Sequence, residues 1–461
     1  MKRLLAALVL AVLVTGCASL AGDEGIAGAS STSLRTTRAE REAARSELAK
    51  ILEKPVSAND ASRIAVAFSP SFQAILAEGT ARAAQATQSA RLPNPVFTFE
   101  RLLRGEDGGV DKEINRMLSI SVLDLLLLPA RIRAADYQRG NLRIELAGAV
   151  LQSGALARQA WVRAVAAQQS ARYAEQVHAA AEASAELARR MQQAGNFSKL
   201  QRAREQAFYA DAATQLAKAR HVATSAREEL VRALGLDAEE AARLLLPDRL
   251  PDLPAHPDDE AAVARIGLDE RLDVRMARAE LEYLAYRQGL TRVTSYVDGL
   301  QIAGERNSQS GKGPQRGFQL EMPLPVFDFG DARRAEARAS YMAALNRAAA
   351  VGASATSRVR ETYSAYRTSY DIARHYRDEI VPLRKAIAEE MLLRYNGMLA
   401  GVFELLADSR EQIASVMLAM EAERDFWLAD ADLRAALAGY PLEPTAMETK
   451  SRPASVRGGG H

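Results

Sequence analysis

Residues 194–206 read AGNFSKLQRAREQ, and residues 400–412 read AGVFELLADSREQ. The two stretches align without a gap at an offset of 206 positions, and seven of the thirteen letters are identical. Both copies end in the same Arg-Glu-Gln run, and each stands between two segments with the composition of long helices. A segment repeated in this way predicts an internal duplication, in which each half of the chain contributes one helical hairpin.

The segments around the two copies predict very long helices. Residues 131–193 contain no proline, which allows a helix of roughly 60 residues and about 95 Å. In the second half, residues 331–396 contain only Pro382, which predicts a kink at that point. The shorter partner helices are predicted from a cap at Ser198 to a stop at Gly235, and from about 402 to 438. Helices of such length indicate coiled packing of antiparallel pairs.

Short segments before the long helices have a different periodicity. In GFQLEMPLPVF, Phe318 and Leu320 alternate with Gln319 and Glu321. PVFTFE, LSISV and LQIAGE show the same period of two, which predicts four strands, at about 95–123 and about 293–326. The pattern is typical of membrane strands with the apolar side outward, and equally of half-buried soluble hairpins. Four strands cannot close a barrel, so membrane insertion requires several chains, of which three would supply twelve strands.

The amino terminus predicts a lipoprotein leader. Lys2 and Arg3 precede an apolar run that is too short to span a membrane and has the length of a signal-peptide core. The run ends in Val-Thr-Gly-Cys, which resembles a bacterial lipobox, with Cys17 as the single cysteine of the chain. We therefore expect a signal peptide at 1–16, a covalent lipid such as palmitate on Cys17, and a tether over 17–50. By resemblance to known lipoproteins, Ala18 after the cysteine favours the outer membrane.

Composition argues against nucleic-acid binding and against catalysis. Lys and Arg number 60 against 58 Asp and Glu, so the chain lacks the basic excess of nucleic-acid-binding proteins. The five histidines form no metal-binding spacing, and the chain has no phosphate loop and no nucleophile elbow. We expect no enzyme activity, no metal and no cofactor other than the lipid.

Three segments together resemble the TolC-type family of outer-membrane efflux proteins, in its lipoprotein subgroup. They are RLPNPVFTFE at 91–100, MPLPVFDFGDARRAEARA at 322–339, and the two repeated turns. The first half preserves the strand-to-helix motif less well, with Pro129 where a glycine is expected. The resemblance implies a mainly α fold with a small β part: duplicated coiled hairpins and four strands, trimerising into an α-helical tunnel and a 12-stranded barrel. The first repeat covers 51–250, the second 251–440, and a tail 441–461.

The family resemblance also implies a function and partners. It implies a passive exit duct in the bacterial outer membrane that extends into the periplasm and works with a periplasmic adaptor protein and an inner-membrane transporter. Efflux of small molecules or metal cations and type I protein secretion both remain open as its use. A periplasmic coiled-coil lipoprotein scaffold without a pore is the competing interpretation.

In the family, the hairpin turns form the periplasmic entrance. At an offset of 206, Ser198 and Arg202 of the first copy correspond to Glu404 and Asp408 of the second, each pair lying on one helix face. In a trimer, Glu404 and Asp408 would form carboxylate rings with cation selectivity, and Arg202 would neutralise one of them. These four residues are the candidate gate. The turn residues Gly195, Asn196, Gly397 and Gly401 are the candidate adaptor-docking positions.

Overall fold

The computed structural model describes residues 34–106, 109–260, 263, 271–296 and 299–440. Cys17, the predicted signal peptide and the predicted tail at 441–461 lie outside these residues. The elements of the first half are α1 Arg38–Leu52, α2 Ala58–Ala67, α3 Pro70–Ser89, β1 Val96–Glu106, β2 Gly109–Ser121, α4 Val122–Gln193, α5 Lys199–Leu234 and α6 Ala238–Arg243. Those of the second half are α7 Leu272–Thr294, β3 Gln301–Gln309, β4 Gln315–Glu321, α8 Asp331–His375, a π-helical turn Tyr376–Ile380, α9 Val381–Asn396 and α10 Val402–Ala438.

The first long helix begins earlier than the sequence predicted. Helix α4 has 72 residues and starts at Val122, not near 130, so Val122 is not a strand residue. The Ser121 hydroxyl caps the helix by accepting the backbone N–H of Asp124 at 3.2 Å. Asp124 in turn forms an ion pair with Arg131, at 2.9 Å. Pro129 lies inside the helix, where the loss of one backbone bond is small against the length of the element.

The second long helix is interrupted where the sequence predicted a kink. The backbone widens into one π-helical turn, Tyr376–Ile380, immediately before Pro382, which occupies the first turn of α9. Proline has no N–H to donate to the preceding turn, and a π turn accommodates that missing bond. The predicted ends of the partner helices are confirmed: Gly235 and Gly439 are the left-handed stops of α5 and α10.

The four strands form one antiparallel sheet in the order β1-β2-β3-β4. The two halves of the chain meet in its centre, where β2 pairs with β3 and Ser121 lies opposite Gln301. The junction continues into the helix, because the backbone N–H of Val122 donates to the carbonyl of Leu300 at 2.8 Å. The sheet and the hairpin turns therefore lie at opposite ends of the long helices.

Apolar side chains from both halves fill the core where the long helices lie side by side. Trp161 of α4 is buried and donates its indole N–H to the Val56 carbonyl at 2.7 Å. In the second half, Tyr366 and Phe426 pack with ring centroids 5.5 Å apart. Helix α1 joins the first cluster with Leu48 and Leu52. The prediction of a tether up to residue 50 is therefore wrong from Arg38 onward, because α1 buries an apolar face against this core.

Gly330, between β4 and α8, has a left-handed backbone with φ of 72°. A Cβ atom there would lie 2.7 Å from Cβ of Ser295 and closer still to its carbonyl oxygen. Both the backbone angle and the crowding exclude other residues. We expect Gly330→Ala to lower the free energy of unfolding by about 2 kcal/mol or more, measured by thermal unfolding. Gly352→Ala is the control, since its Cβ would meet open space; an equal loss in both variants would contradict this account.

Candidate functional site

The sheet has two chemically different faces. One face presents apolar residues in cross-strand contact, since Phe97 pairs with Leu118, and Gly304 pairs with Phe318. The next pairs toward the helices, which join Ile120 with Ile302 and Ile302 with Leu320, continue this apolar face. The opposite face is polar, and its carboxylates are Glu100, Asp111, Glu113, Glu305 and Glu321. The predicted alternation is thus confirmed on all four strands.

The exposure of the apolar side chains distinguishes membrane strands from half-buried soluble hairpins, the two interpretations that the alternation allows. The apolar face is open on both edge strands, as their opposite face is: Phe318 is 84 % exposed, Phe97 63 % and Leu320 59 %. Along β2 the polar residues are the half-buried ones, and Asn307 donates to Glu113 across the strands at 2.6 Å. A hairpin that packs on a soluble core buries its apolar side instead. The apolar face of this sheet has the character of a surface that meets lipid.

The first hairpin turn joins α4 to α5. Gly195 has φ of 81°, and the Asn196 N–H donates to the Met191 carbonyl at 2.9 Å, which closes the end of α4. Ser198 then caps α5, accepting the N–H of Gln201 at 3.2 Å. These bonds hold the turn rigidly at the far end of the hairpin.

The second turn corrects the correspondence between the two copies. Met398 is its left-handed residue, with φ of 60°, and Gly401 is the N-cap of α10. Gly195 and Gly401 therefore play different parts, and the turns superpose at an offset of 203, not 206. Counted from the helix caps, Glu404 matches Gln201 and Asp408 matches Glu205. The predicted match of Ser198 and Arg202 with Glu404 and Asp408 is wrong.

The four candidate gate residues do not meet within one chain. Arg202 donates to the Gln192 side chain at 2.9 Å, inside its own hairpin. Glu404 is exposed, and Asp408 is half-buried with one carboxylate oxygen that has no hydrogen-bond partner among the described residues. Glu404 is therefore open to a neighbouring chain, whereas the unpartnered oxygen of Asp408 is itself buried.

A buried ion pair that the sequence did not single out joins the two hairpins. Glu205 of α5 is fully buried and pairs with Arg410 of α10. Its other oxygen accepts the Ser184 hydroxyl of α4 at 2.6 Å. The Arg410 guanidinium also lies 4.9 Å from the Phe208 ring centre. The repeated Arg-Glu-Gln run contains both partners, one from each copy, and was the only signal of this contact.

Burial raises the pKa of Glu423 on α10 to about 7, and nearby Asp252 adds to the rise, while Arg249 and Arg377 oppose it. The folded state thus binds a proton that the unfolded chain releases near its ordinary value of 4.5. Glu423 therefore stabilises the fold at low pH, and the contribution is lost as the pH rises to about 7.

We expect Glu423→Gln to raise the free energy of unfolding by about 1 kcal/mol near pH 8, a value reduced for partial solvent screening. The variant and the native chain should converge below about pH 4, where the native side chain is neutral in both the folded and the unfolded state. Thermal unfolding at both pH values provides the measurement. A pH-independent difference would contradict titration of Glu423 as the cause.

Within the described part of the chain, no cluster of three or more His, Cys, Asp or Glu has the arrangement of a metal site. None of the helices in that part combines the length and the apolar character needed to cross a membrane.

The fold of this chain has known counterparts, although its sequence does not. No family model matches the sequence, and no curated protein matches it either. Solved structures do match. The outer membrane protein VceC from Vibrio cholerae has 14 % sequence identity and a TM-score of 0.69, over 83 % of this chain and 96 % of that chain. The CmeC outer membrane channel from Campylobacter jejuni has 14 % identity and a TM-score of 0.66, over 90 % of each chain. The MtrE outer membrane channel from Neisseria gonorrhoeae has 20 % identity and a TM-score of 0.68, over 83 % of this chain and 89 % of that chain.

Two of these proteins are outer membrane channels and VceC is an outer membrane protein, and the likeness covers most of each molecule. At these identities the likeness establishes the fold, and the chain has the fold of these outer-membrane proteins. The resemblance to the TolC-type family drawn from the strands, the junction and the repeated turns is confirmed.

Proposed function

We propose that the chain is the outer-membrane exit duct of a tripartite efflux system and passes substrate outward without chemistry. The observation that carries this proposal is the sheet: its apolar face is exposed, while the carboxylates Asp111, Glu113 and Glu305 on the polar face of the two central strands are half-buried. Lipid would cover the first face and water the second. The long hairpins on the other side of the sheet have the proportions of a periplasmic tunnel.

The duct is proposed to be a homotrimer. Both edge strands of the sheet, β1 and β4, lack a partner on their outer side in the described chain. Unpaired edges are costly in hydrocarbon, where each unsatisfied backbone group costs several kcal/mol. Pairing β1 of one chain with β4 of the next removes every edge, and three chains give a barrel of twelve strands. The lipid on Cys17 would add a second membrane anchor.

The proposed docking site for partner proteins is the end of the hairpins that lies farthest from the sheet. We assign adaptor docking to the turn residues Gly195, Asn196, Gly397 and Gly401, and the adaptor would connect the duct to an inner-membrane transporter. The neighbouring Leu399 is 82 % exposed, so the second turn offers an apolar contact to such a partner. A type I secretion system would use the same arrangement with a protein as cargo.

Reconstitution tests the proposed function. The detergent-extracted protein should run as a heat-modifiable trimer and produce stepwise conductance in planar bilayers. A Cys17→Ser chain that stays monomeric in buffer without detergent, and gives no conductance, would support the periplasmic scaffold instead.

The gate assignment yields a separate prediction. Replacing Glu404 and Asp408 by alanine should reduce cation selectivity, because carboxylate rings concentrate cations at a constriction. Reversing the charge of Arg202 to glutamate should raise the open probability if this cation restrains the closed state. Single-channel recording measures both effects, with Glu411→Ala as a matched carboxylate control on the same helix. Unchanged selectivity in the double variant would contradict a carboxylate gate.

A further inference from the structure

The apolar face of the sheet also carries cations, and they form a row. Arg116 of β2 lies directly opposite Arg306 of β3, and Arg306 lies directly opposite Arg316 of β4. All three are exposed on the same face as Phe318, which precedes the row on the side of the helices. Neighbouring strands are about 4.8 Å apart, so three guanidinium groups project side by side from adjacent strands.

The charged side chains described on this apolar face are all cations. Arg101 and Lys112 lie on it closer to the hairpin ends, and the described side chains of this face include no carboxylate. The carboxylates of the sheet stand on the opposite face, where Arg104 is the single cation among the described side chains. The sheet therefore separates its charges, with the described carboxylates on one face and the described cations, apart from Arg104, on the other.

The row lacks an internal counter-charge. Like charges directly opposite each other on neighbouring strands repel and destabilise a sheet. Within the described chain, no carboxylate forms an ion pair or a side-chain hydrogen bond with Arg116, Arg306 or Arg316. Such a row is stable when an external anion lies across it. Guanidinium groups match phosphate oxygens in geometry and charge better than any other side chain does.

We propose that this arginine row, Arg116, Arg306 and Arg316, binds the phosphate groups of an anionic lipid in the outer leaflet of the outer membrane. The inference rests on the proposed function, which places the apolar face in lipid with the hairpin ends outward. The row then lies toward the outer boundary of the apolar band, beside Phe99, which pairs with Arg116; Leu103 and Ile114 are the apolar residues beyond it on the same face. Aromatic residues mark that boundary in membrane barrels. The acyl chains of such a lipid would lie on Phe318 and Leu320.

Lipid binding to the purified full-length protein in mild detergent tests the proposal. The probe is bis-phosphorylated lipid A, compared with its dephosphorylated form. The triple variant Arg116→Gln, Arg306→Gln and Arg316→Gln should bind the phosphorylated lipid about tenfold or more weakly. A triple lysine variant should retain much of the affinity through its charge, and Arg104→Gln on the opposite face should bind as the native chain does.

Several outcomes would overturn the proposal. They are equal binding of both lipids, equal binding by the triple glutamine variant, and displacement of the lipid by an equal concentration of inorganic phosphate. Conductance recorded on the same preparations separates this inference from the proposed function. Channels without phosphate-dependent lipid binding would refute the lipid site alone, whereas phosphate-dependent binding without channels would refute the duct alone.

Discussion

Replacing Arg410 by alanine is expected to lower the free energy of unfolding by about 3 kcal/mol, because it leaves the carboxylate of Glu205 buried without its cation. Glu205 is fully buried, and its remaining partner is the Ser184 hydroxyl at 2.6 Å. One neutral donor cannot offset the lost solvation of a charge in this position. The substitution also removes the contact of the guanidinium with the Phe208 ring. Thermal or urea unfolding in detergent, followed by circular dichroism, provides the measurement.

A matched control lies one residue further along the same helix. Glu411 pairs with Arg384 at 3.2 Å, but its side chain is 64 % exposed. Arg384→Ala should therefore cost less than about 1 kcal/mol. The double variant Glu205→Leu with Arg410→Met should recover most of the loss, because it leaves no buried charge. If Arg410→Ala and Arg384→Ala prove equally mild, the buried pair is not what joins the hairpins.

Replacing Phe318 by arginine is expected to prevent stable insertion into the outer membrane. Phe318 is 84 % exposed on the apolar face of β4, one step deeper than Arg316, and a cation on the lipid side of a barrel strand costs from about 1 kcal/mol near the interface to about 2–4 kcal/mol at the bilayer midplane. A trimer would bear that cost three times. Cell fractionation, together with the yield of heat-modifiable trimers, measures the effect.

The adjacent residue supplies the control. Gln319 lies on the opposite face of the same strand, and Gln319→Arg should insert and trimerise normally, because that face meets water in a barrel. In a periplasmic scaffold the outcome would differ. There, Phe318→Arg would remove an exposed aromatic ring from water and would leave yield unchanged or improved. Normal trimers from Phe318→Arg would therefore contradict the membrane assignment of the sheet.

Much of the fold could be predicted from the sequence because its signals are local. Period-two alternation around Phe318 and around Phe97 identified the strands, since side chains of a strand alternate between its faces. Gly235 and Gly439 marked helix ends, since a left-handed stop favours glycine. The start of α4 was predicted incorrectly, because Pro129 suggested a boundary that the Ser121 cap sets eight residues earlier.

The two glycines of the repeated turns show why the correspondence of the copies was misjudged. Glycine fits both the left-handed residue after a helix and the cap before the next one. Gly195 takes the first role and Gly401 the second, and their identical neighbours in the sequence conceal the difference. Only the backbone angles separate the two roles.

By itself the sequence determined the duplication, the long helices, the four strands and the likeness to outer-membrane channels, because periodicity and caps depend on residues close along the chain. The tertiary structure decided which sheet face is open, that Arg410 reaches Glu205, and that Arg116, Arg306 and Arg316 align. These contacts join residues far apart in sequence, and strand register and hairpin packing set them. A shift of one residue in β3 would turn Arg306 to the other face and break the row.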